Sequence, residues 1–407
     1  MPSMVTRNNI CILPWVSVAI MPDGNVYPCC MSMHGTAMGN VNESSLEEIW
    51  NSDVSRDIRK DFLADKRLDM CSECWKVEDK GNFHSTRLWA NKSFKHHFNL
   101  LENTNDGRVD MNLIYTDIRF SNKCNLMCFY CGSIFSSKWE AFDKKVRRKI
   151  SPIPKISKPK NLLDSLIGNI SKVEQIYLSG GEPSIMEESY TMLEAIIDMG
   201  LSKNIKLLLN SNMSNVTYRG KNFWDMISKF KEVELAASID EIEQRAEWIR
   251  YGEKWDNIME TNDYVKQYPN IRVQYSPVVS MFNFHRLPEI LTYWQNKGWI
   301  TENYHNVYLA EPGFNTRSDF RYLPTSWKYN IKEIIENFLQ QSQMDRKNRF
   351  VYDTANSLVK AMIDFDNDVD ILNNMSQVIE DINLHDKYRK VKFSDVFPEL
   401  NFLKTTK

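Results

Sequence analysis

Three thiols stand in C-x3-C-x2-C order in Cys124-Asn125-Leu126-Met127-Cys128-Phe129-Tyr130-Cys131. Thiolate sulfur is the usual ligand of iron–sulfur clusters. Three thiolates on one loop can hold three irons of a cubane and leave the fourth open to a small chelating ligand. The competing metal is zinc, which as a structural ion wants four closed ligands and often paired C-x2-C spacing. The other five cysteines lie upstream, at 11, 29, 30, 71 and 74. Cys71-Ser72-Glu73-Cys74 is a C-x2-C pair, and Cys11 and Cys29 complete a second possible set of four. Spacing alone does not separate a cluster from a four-cysteine zinc site there. Cys30 is left over as an alternative ligand, a hydrogen-atom donor or, by default, a small buried residue.

A carboxylate joins the triplet. Tyr177-Leu178-Ser179-Gly180-Gly181-Glu182-Pro183 closes a predicted strand. Adjacent glycines let backbone approach a ligand closely, and Glu182 can grip an ammonium group. The motif falls one strand–helix unit after the triplet, at the sheet end where parallel sheets bind ligands. Arg119 and Arg250 offer guanidinium forks for a carboxylate or phosphate, with surface pairing the expected use of each. His96-His97 is given no role, because adjacent residues point apart on a helix or a strand. Trp15, Trp50 and Trp75 are expected to pack around the upstream cysteines.

These residues need elements to hold them. Strand candidates run over 113–120, 175–178, 205–209, 233–238, 271–279 and 307–310, with helical patterns between several of them. Strand–helix alternation predicts a parallel sheet, and six strands fall short of a closed eight-strand barrel. The expected class is therefore α/β, a partial (β/α)6 TIM-like barrel over 110–312. Before it, 8–80 reads as a small module. The run 15–21 forms its first strand, Pro22-Asp23-Gly24-Asn25 its hairpin turn, and 44–50 a capped helix. After the barrel, 313–407 reads as a helical cap, with helices around 331–339 and 355–365. The basic run 144–149 and the prolines of 151–160 read as a solvated loop, or more sharply as a lid for an acidic substrate.

The 407 residues carry a formal net charge of −2, with 42% hydrophobic and 26% charged residues. That is the balance of an ordinary globular protein and argues against a globally basic nucleic-acid coat. No apolar run is long enough to span a bilayer, and the first ten residues do not read as a secretory signal. Clustered thiols in such a chain read as metal ligands in a cytoplasmic protein rather than as disulfides.

Together the C-x3-C-x2-C loop, with Tyr130 before its last cysteine, and Gly180-Gly181-Glu182-Pro183 resemble the radical S-adenosylmethionine (SAM) superfamily over about 110–312. The resemblance implies that Cys124, Cys128 and Cys131 bind a 4Fe-4S cluster whose open iron chelates the SAM amino and carboxylate groups. It implies that Gly180, Gly181 and Glu182 hold the SAM amino end and that Tyr130 lies near the adenine. Ser238-Ile239-Asp240 resembles the family's Ser-Ile-Asp strand, which implies SAM contacts from Ser238 and Asp240. Asn210-Ser211-Asn212 matches the family's Thr-Asn turn only loosely. Residues 8–80, with Cys11-Ile12-Leu13-Pro14-Trp15, Tyr27-Pro28-Cys29-Cys30 and Cys71-Ser72-Glu73-Cys74-Trp75, resemble the twitch form of the SPASM domain. That implies a second 4Fe-4S cluster on Cys11, Cys29, Cys71 and Cys74, two per chain. In better-known members this module follows the barrel; here it precedes it.

The implied reaction is reductive cleavage of SAM to methionine and a 5′-deoxyadenosyl radical, which takes a hydrogen atom from a small-molecule or peptide substrate. The auxiliary cluster would assist electron transfer, and the implied donor is a flavodoxin or ferredoxin. The alternative is a zinc-stabilised, non-catalytic binding protein.

Overall fold

In the computed structural model, residues 8–79, 81, 85–147, 154–301, 303–310, 318–341, 349–365, 368–389 and 391–405 are described. The basic, proline-rich segment falls partly outside them, at 148–153. On its described flanks, Lys144 and Lys155 both pair with Glu140, at 2.7 and 2.9 Å.

The Asp23-Gly24 turn folds β1 (Ser17–Ile20) onto β2 (Asn25–Tyr27), antiparallel, with Ala19 opposite Tyr27. Gly24 supplies the φ of +89° that the turn requires. β3 (Gly39–Asn40) pairs on the far side of β2. The first strand starts later than the apolar run predicts. Pro14 at a first helical position sets a helical turn over Leu13–Val16, so Trp15 and Val16 are not in the strand. Ser45 and Glu48 form a reciprocal capping box at the start of helix Leu46–Trp50.

Five parallel strands follow: β4 (Tyr115–Ile118), β5 (Gln175–Leu178), β6 (Lys206–Ser211), β7 (Glu232–Ala237) and β8 (Ile271–Tyr275). Period-two alternation divides their side chains. Ile118, Ile176, Leu178, Leu207, Leu209, Val233 and Leu235 are buried in the main core. Tyr177, Asn210, Glu234 and Gln274 line a cavity of about 430 Å³ on the other face. The expected sixth strand makes only isolated bridges, Val307 to Tyr275 and Ala310 to Val278. Pro277 interrupts the ladder between them, because it has no N–H to donate.

The two predicted modules share one sheet. β1 pairs parallel with β4, from Ser17 opposite Tyr115 to Ile20 opposite Ile118. The full order is β8-β7-β6-β5-β4-β1-β2-β3. The N-terminal hairpin thus extends the partial barrel at its first strand, which puts the upstream cysteines beside the barrel although they come first in the chain.

The C-terminal region is helical. Helix Thr325–Gln341 contains the first predicted one, Arg349–Ile363 overlaps the second and ends two residues before it, and a third, Asp368–Arg389, was not expected. Its inward positions alternate apolar Met375, Val378 and Ile382 with buried Asp381, His385 and Arg389, so no clean apolar stripe shows in the sequence. The chain then returns to the barrel through Glu399. Its carboxylate accepts hydrogen bonds from Arg245 and, at 3.1 Å, lies against the His285 imidazole. Burial pushes the Glu399 pKa up, but His285 and Arg245 outweigh it and hold the carboxyl well below its ordinary value. A depressed folded pKa means this latch acts fully above the unfolded value and fades as pH falls toward the folded one. Glu399→Gln is expected to speed amide exchange over 393–403 about five-fold at pH 7, roughly 1 kcal/mol for a partly exposed pair. Unchanged exchange would refute the latch.

Candidate cluster and cofactor site

All eight cysteines are free thiols. The loop that carries Cys124, Cys128 and Cys131 leaves the end of β4 and is fixed through its backbone. The Cys124 amide is held by Ser137 Oγ at 3.2 Å, and Trp139 Nε1 donates to the Cys128 carbonyl at 2.7 Å. Met127 and Cys128 pair with Tyr251 and Arg250 in a two-residue antiparallel ladder. Burial pushes the Cys124 thiol up to about 12, with nearby Glu182 and Cys131 adding to it. Thiols that resist ionisation in a bare pocket are what a positively charged metal group would ionise on binding.

The Gly-Gly-Glu turn meets this loop backbone to backbone. The Glu182 amide donates to the Lys123 carbonyl at 2.8 Å. A Cβ on Gly181 would lie 2.1 Å from that same carbonyl oxygen, so only glycine permits the contact. Gly180 has a φ of +108°. Glu182 is 1% exposed, and both its oxygens are engaged. Ser184 Oγ and Ser211 Oγ donate to Oε1 at 2.7 and 2.9 Å, and the Asn212 amide donates to Oε2 at 2.7 Å. Ser211 and Asn212, which matched a family pattern only loosely, therefore position Glu182. Burial raises its pKa against these bonds.

Asp240 is fully buried at the end of the β7 segment and anchors a second set. Arg250 grips it in a bidentate pair at 2.8 and 3.0 Å, Tyr130 Oη donates at 2.7 Å, and the Val278 amide donates at 2.9 Å. Four donors fill its acceptor sites, which makes Asp240 a hub for Tyr130 and Arg250. The Arg250 guanidinium also reaches Cys128 Sγ at 3.7 Å. Surface pairing was expected of Arg250, and the structure corrects this: it is 5% exposed and sits against the cysteine loop. Its partner lies ten residues away through a helix, which no sequence periodicity reveals. Ser238 is half-buried beside this set.

Arg119 needs the same correction. It is 7% exposed and pairs with the buried Asp117 at 2.7 Å. A Cβ on Gly180 would approach Arg119 Cβ to 3.0 Å, so this pair borders the Gly-Gly-Glu turn. Cys30 lies beside it. Cys29 and Cys30 point to opposite sides of the hairpin sheet: Cys29 packs in the main core with Cys11, and Cys30 with Ala19, Met21 and Tyr27. Burial, then Asp117, hold the Cys30 thiol far above its ordinary value.

Cys11, Cys29, Cys71 and Cys74 lie close enough to raise one another's pKa values. Burial is the larger cause and pushes Cys29 and Cys71 up to about 12. Trp15, Trp50 and Trp75 are buried in the main core, which also holds Cys11 and Cys29. Arg87 was missed and carries no sequence signal. It donates to the Ile10 carbonyl at 2.9 Å, stacks over Trp75 and pairs with Glu78, next to these thiols.

Zinc with Zn–S bonds of about 2.3 Å would draw four sulfurs to about 3.8 Å of one another. Among the described residues, no three cysteine sulfurs lie within 4.8 Å of each other.

Residues 118–292 match the radical SAM superfamily, and residues 11–75 match the SPASM iron–sulfur cluster-binding domain, together more than half of the chain. The chain carries a radical SAM domain. Its SPASM domain stands before the radical SAM domain in sequence and beside it in the sheet. No curated protein matches the chain by sequence. Among solved structures, this radical SAM chain is similar to histidine-tagged anSMEcpe with bound AdoMet. The match is at 14% identity and a TM-score of 0.38, covering 56% of this chain and 59% of that one. Streptococcus suis SuiB gives 14% and 0.35, covering 72% and 60%. SuiB bound to the precursor peptide SuiA gives 13% and 0.36, covering 73% and 62%. The chain spans about three-fifths of the length of these structures, and likenesses this distant carry no argument about chemistry. No helix among the described residues is long and apolar enough to cross a membrane.

Proposed function

We propose that this radical SAM chain cleaves S-adenosylmethionine reductively and removes a hydrogen atom from a small-molecule or peptide substrate. The observation that carries this reading is the Gly181–Lys123 backbone contact, which locks a buried carboxylate against the cysteine triplet. Cys124, Cys128 and Cys131 would hold the 4Fe-4S cluster that meets SAM, and Cys11, Cys29, Cys71 and Cys74 an auxiliary cluster. When bound, these groups supply one-electron cleavage of the sulfonium and a path for the substrate's electron.

The chain's own residues do the positioning. Glu182, fixed by Ser184, Ser211 and Asn212, presents a carboxylate toward the SAM ammonium. Gly180 and Gly181 would hold its amino end through their backbone, and Ser238 offers a hydroxyl. Asp240 orients Tyr130 toward the adenine and Arg250 toward Cys128, acting through them. Arg119, Asp117 and Cys30, which lie together beside the Gly-Gly-Glu turn, would face the substrate. The donor would be a flavodoxin or ferredoxin, in a cytoplasmic setting. The alternative is a zinc-stabilised binding protein, and the buried Glu182 carboxylate held against the cysteine loop favours the radical chemistry over it, since zinc needs no such group.

Anaerobic reconstitution is expected to give about eight irons per chain. Reduction in the presence of SAM should then release methionine and 5′-deoxyadenosine. Cys124→Ala should abolish that release, while Cys71→Ala should lose about four irons and keep some uncoupled cleavage. Tetrahedral zinc at Cys124, Cys128 and Cys131, or intact SAM after reduction, would overturn the proposal.

A further inference from the structure

His96 and His97 take no part in the chemistry above, yet they converge. They sit in a short 3-10 turn, Lys95–His97, and both side chains bend toward the same carboxylate. Their ring centroids are 4.1 Å apart. Both turn Nε2 to Glu174, at 3.1 Å from Oε1 for His96 and 2.8 Å for His97. These three ligand atoms lie within 4.8 Å of one another, the one such set of three among the described residues. Glu174 is held at the head of β5. Its amide donates to Ile114 and its carbonyl accepts from Lys206, both at 2.9 Å. Burial raises its pKa, but the two imidazoles outweigh this and keep it below the ordinary value, so it is a carboxylate.

We propose that His96, His97 and Glu174 form a zinc-class divalent cation site that staples the 95–97 turn to the barrel sheet. Two imidazoles and one carboxylate are a zinc donor set with a fourth position for water. Nitrogen-rich sites favour late first-row metals over magnesium or calcium. Tetrahedral ligands with bonds of about 2.0–2.1 Å stand about 3.4 Å apart. The observed separations of 2.8 and 3.1 Å therefore need to open by only a few tenths of an ångström. Both imidazoles already rest against Glu174, so the three side chains are gathered before an ion arrives. That lowers the ordering cost of binding.

The test is zinc titration of the anaerobically reconstituted full chain, by calorimetry with metal analysis and zinc X-ray absorption. One zinc per chain is expected, with nitrogen and oxygen ligands, no sulfur, unchanged iron and a raised thermal midpoint. His97→Ala and Glu174→Gln should each weaken zinc at least ten-fold and leave iron content and SAM cleavage as they were. No bound zinc, equal binding by the variants, or zinc taken up only as iron is lost would each overturn the proposal. The site stands or falls separately from the radical chemistry, because its readouts are zinc affinity and ligand type.

Discussion

Arg250→Ala is expected to destabilise the protein by about 3–5 kcal/mol, because it strands a buried charge. Asp240 is fully buried, and Arg250 supplies two of its four hydrogen bonds. The Tyr130 hydroxyl and Val278 amide would be left to hold an uncompensated carboxylate. The loss should reach the cysteine loop, since Arg250 pairs with Cys128 along the backbone and approaches its sulfur. Reconstituted iron should fall along with the urea midpoint. A second variant separates lost packing from stranded charge. Pairing Arg250→Met with Asp240→Asn removes both charges and should recover much of the stability, because the desolvation penalty of the pair goes with it. A cost below about 1 kcal/mol for Arg250→Ala would mean that Asp240 is neutral or hydrated, and the hub reading would fail.

This hub marks the limit of what the sequence revealed. The cysteine triplet, Gly180-Gly181-Glu182 and the upstream cysteines are local patterns whose chemistry is tied to short spacings, so they were legible. The turn at Asp23-Gly24 and the capping box at Ser45 were legible for the same reason. Arg119 and Arg250 were read as surface residues, because burial of a charge depends on partners brought together by tertiary contact. Asp117 is the partner for one and Asp240 for the other. The His96–His97 pair was set aside because neighbouring Cα–Cβ bonds diverge, but the two rings bend back to a shared partner, Glu174, which lies 77 residues or more away in the chain. The joining of β1 to β4 was hidden because strand pairing across about a hundred residues leaves no periodic trace. Helix Asp368–Arg389 was missed because its inward face includes buried polar side chains.

Gly181→Ala is expected to lower SAM affinity by about 100-fold, some 2.7 kcal/mol. The added methyl would stand 2.1 Å from the Lys123 oxygen, 2.6 Å from its carbonyl carbon and 2.9 Å from the Asn122 carbonyl carbon. All three are backbone atoms of the loop that leads into Cys124, so no rotamer change relieves the clash. The two loops must move apart by an ångström or more, which breaks the Glu182–Lys123 hydrogen bond and shifts the carboxylate from the thiols. Overpacking of this kind costs about 1–3 kcal/mol in stability as well. Gly132 provides the control. It follows Cys131 directly, but a Cβ there meets nothing within 4 Å. Gly132→Ala should therefore leave stability within about 0.5 kcal/mol and SAM binding unchanged. Equilibrium binding of SAM to the reconstituted variants distinguishes them. Equal affinities would mean that the Gly-Gly-Glu turn and the cysteine loop need not touch for the cofactor to bind. The contact on which the functional reading rests would then be structural only.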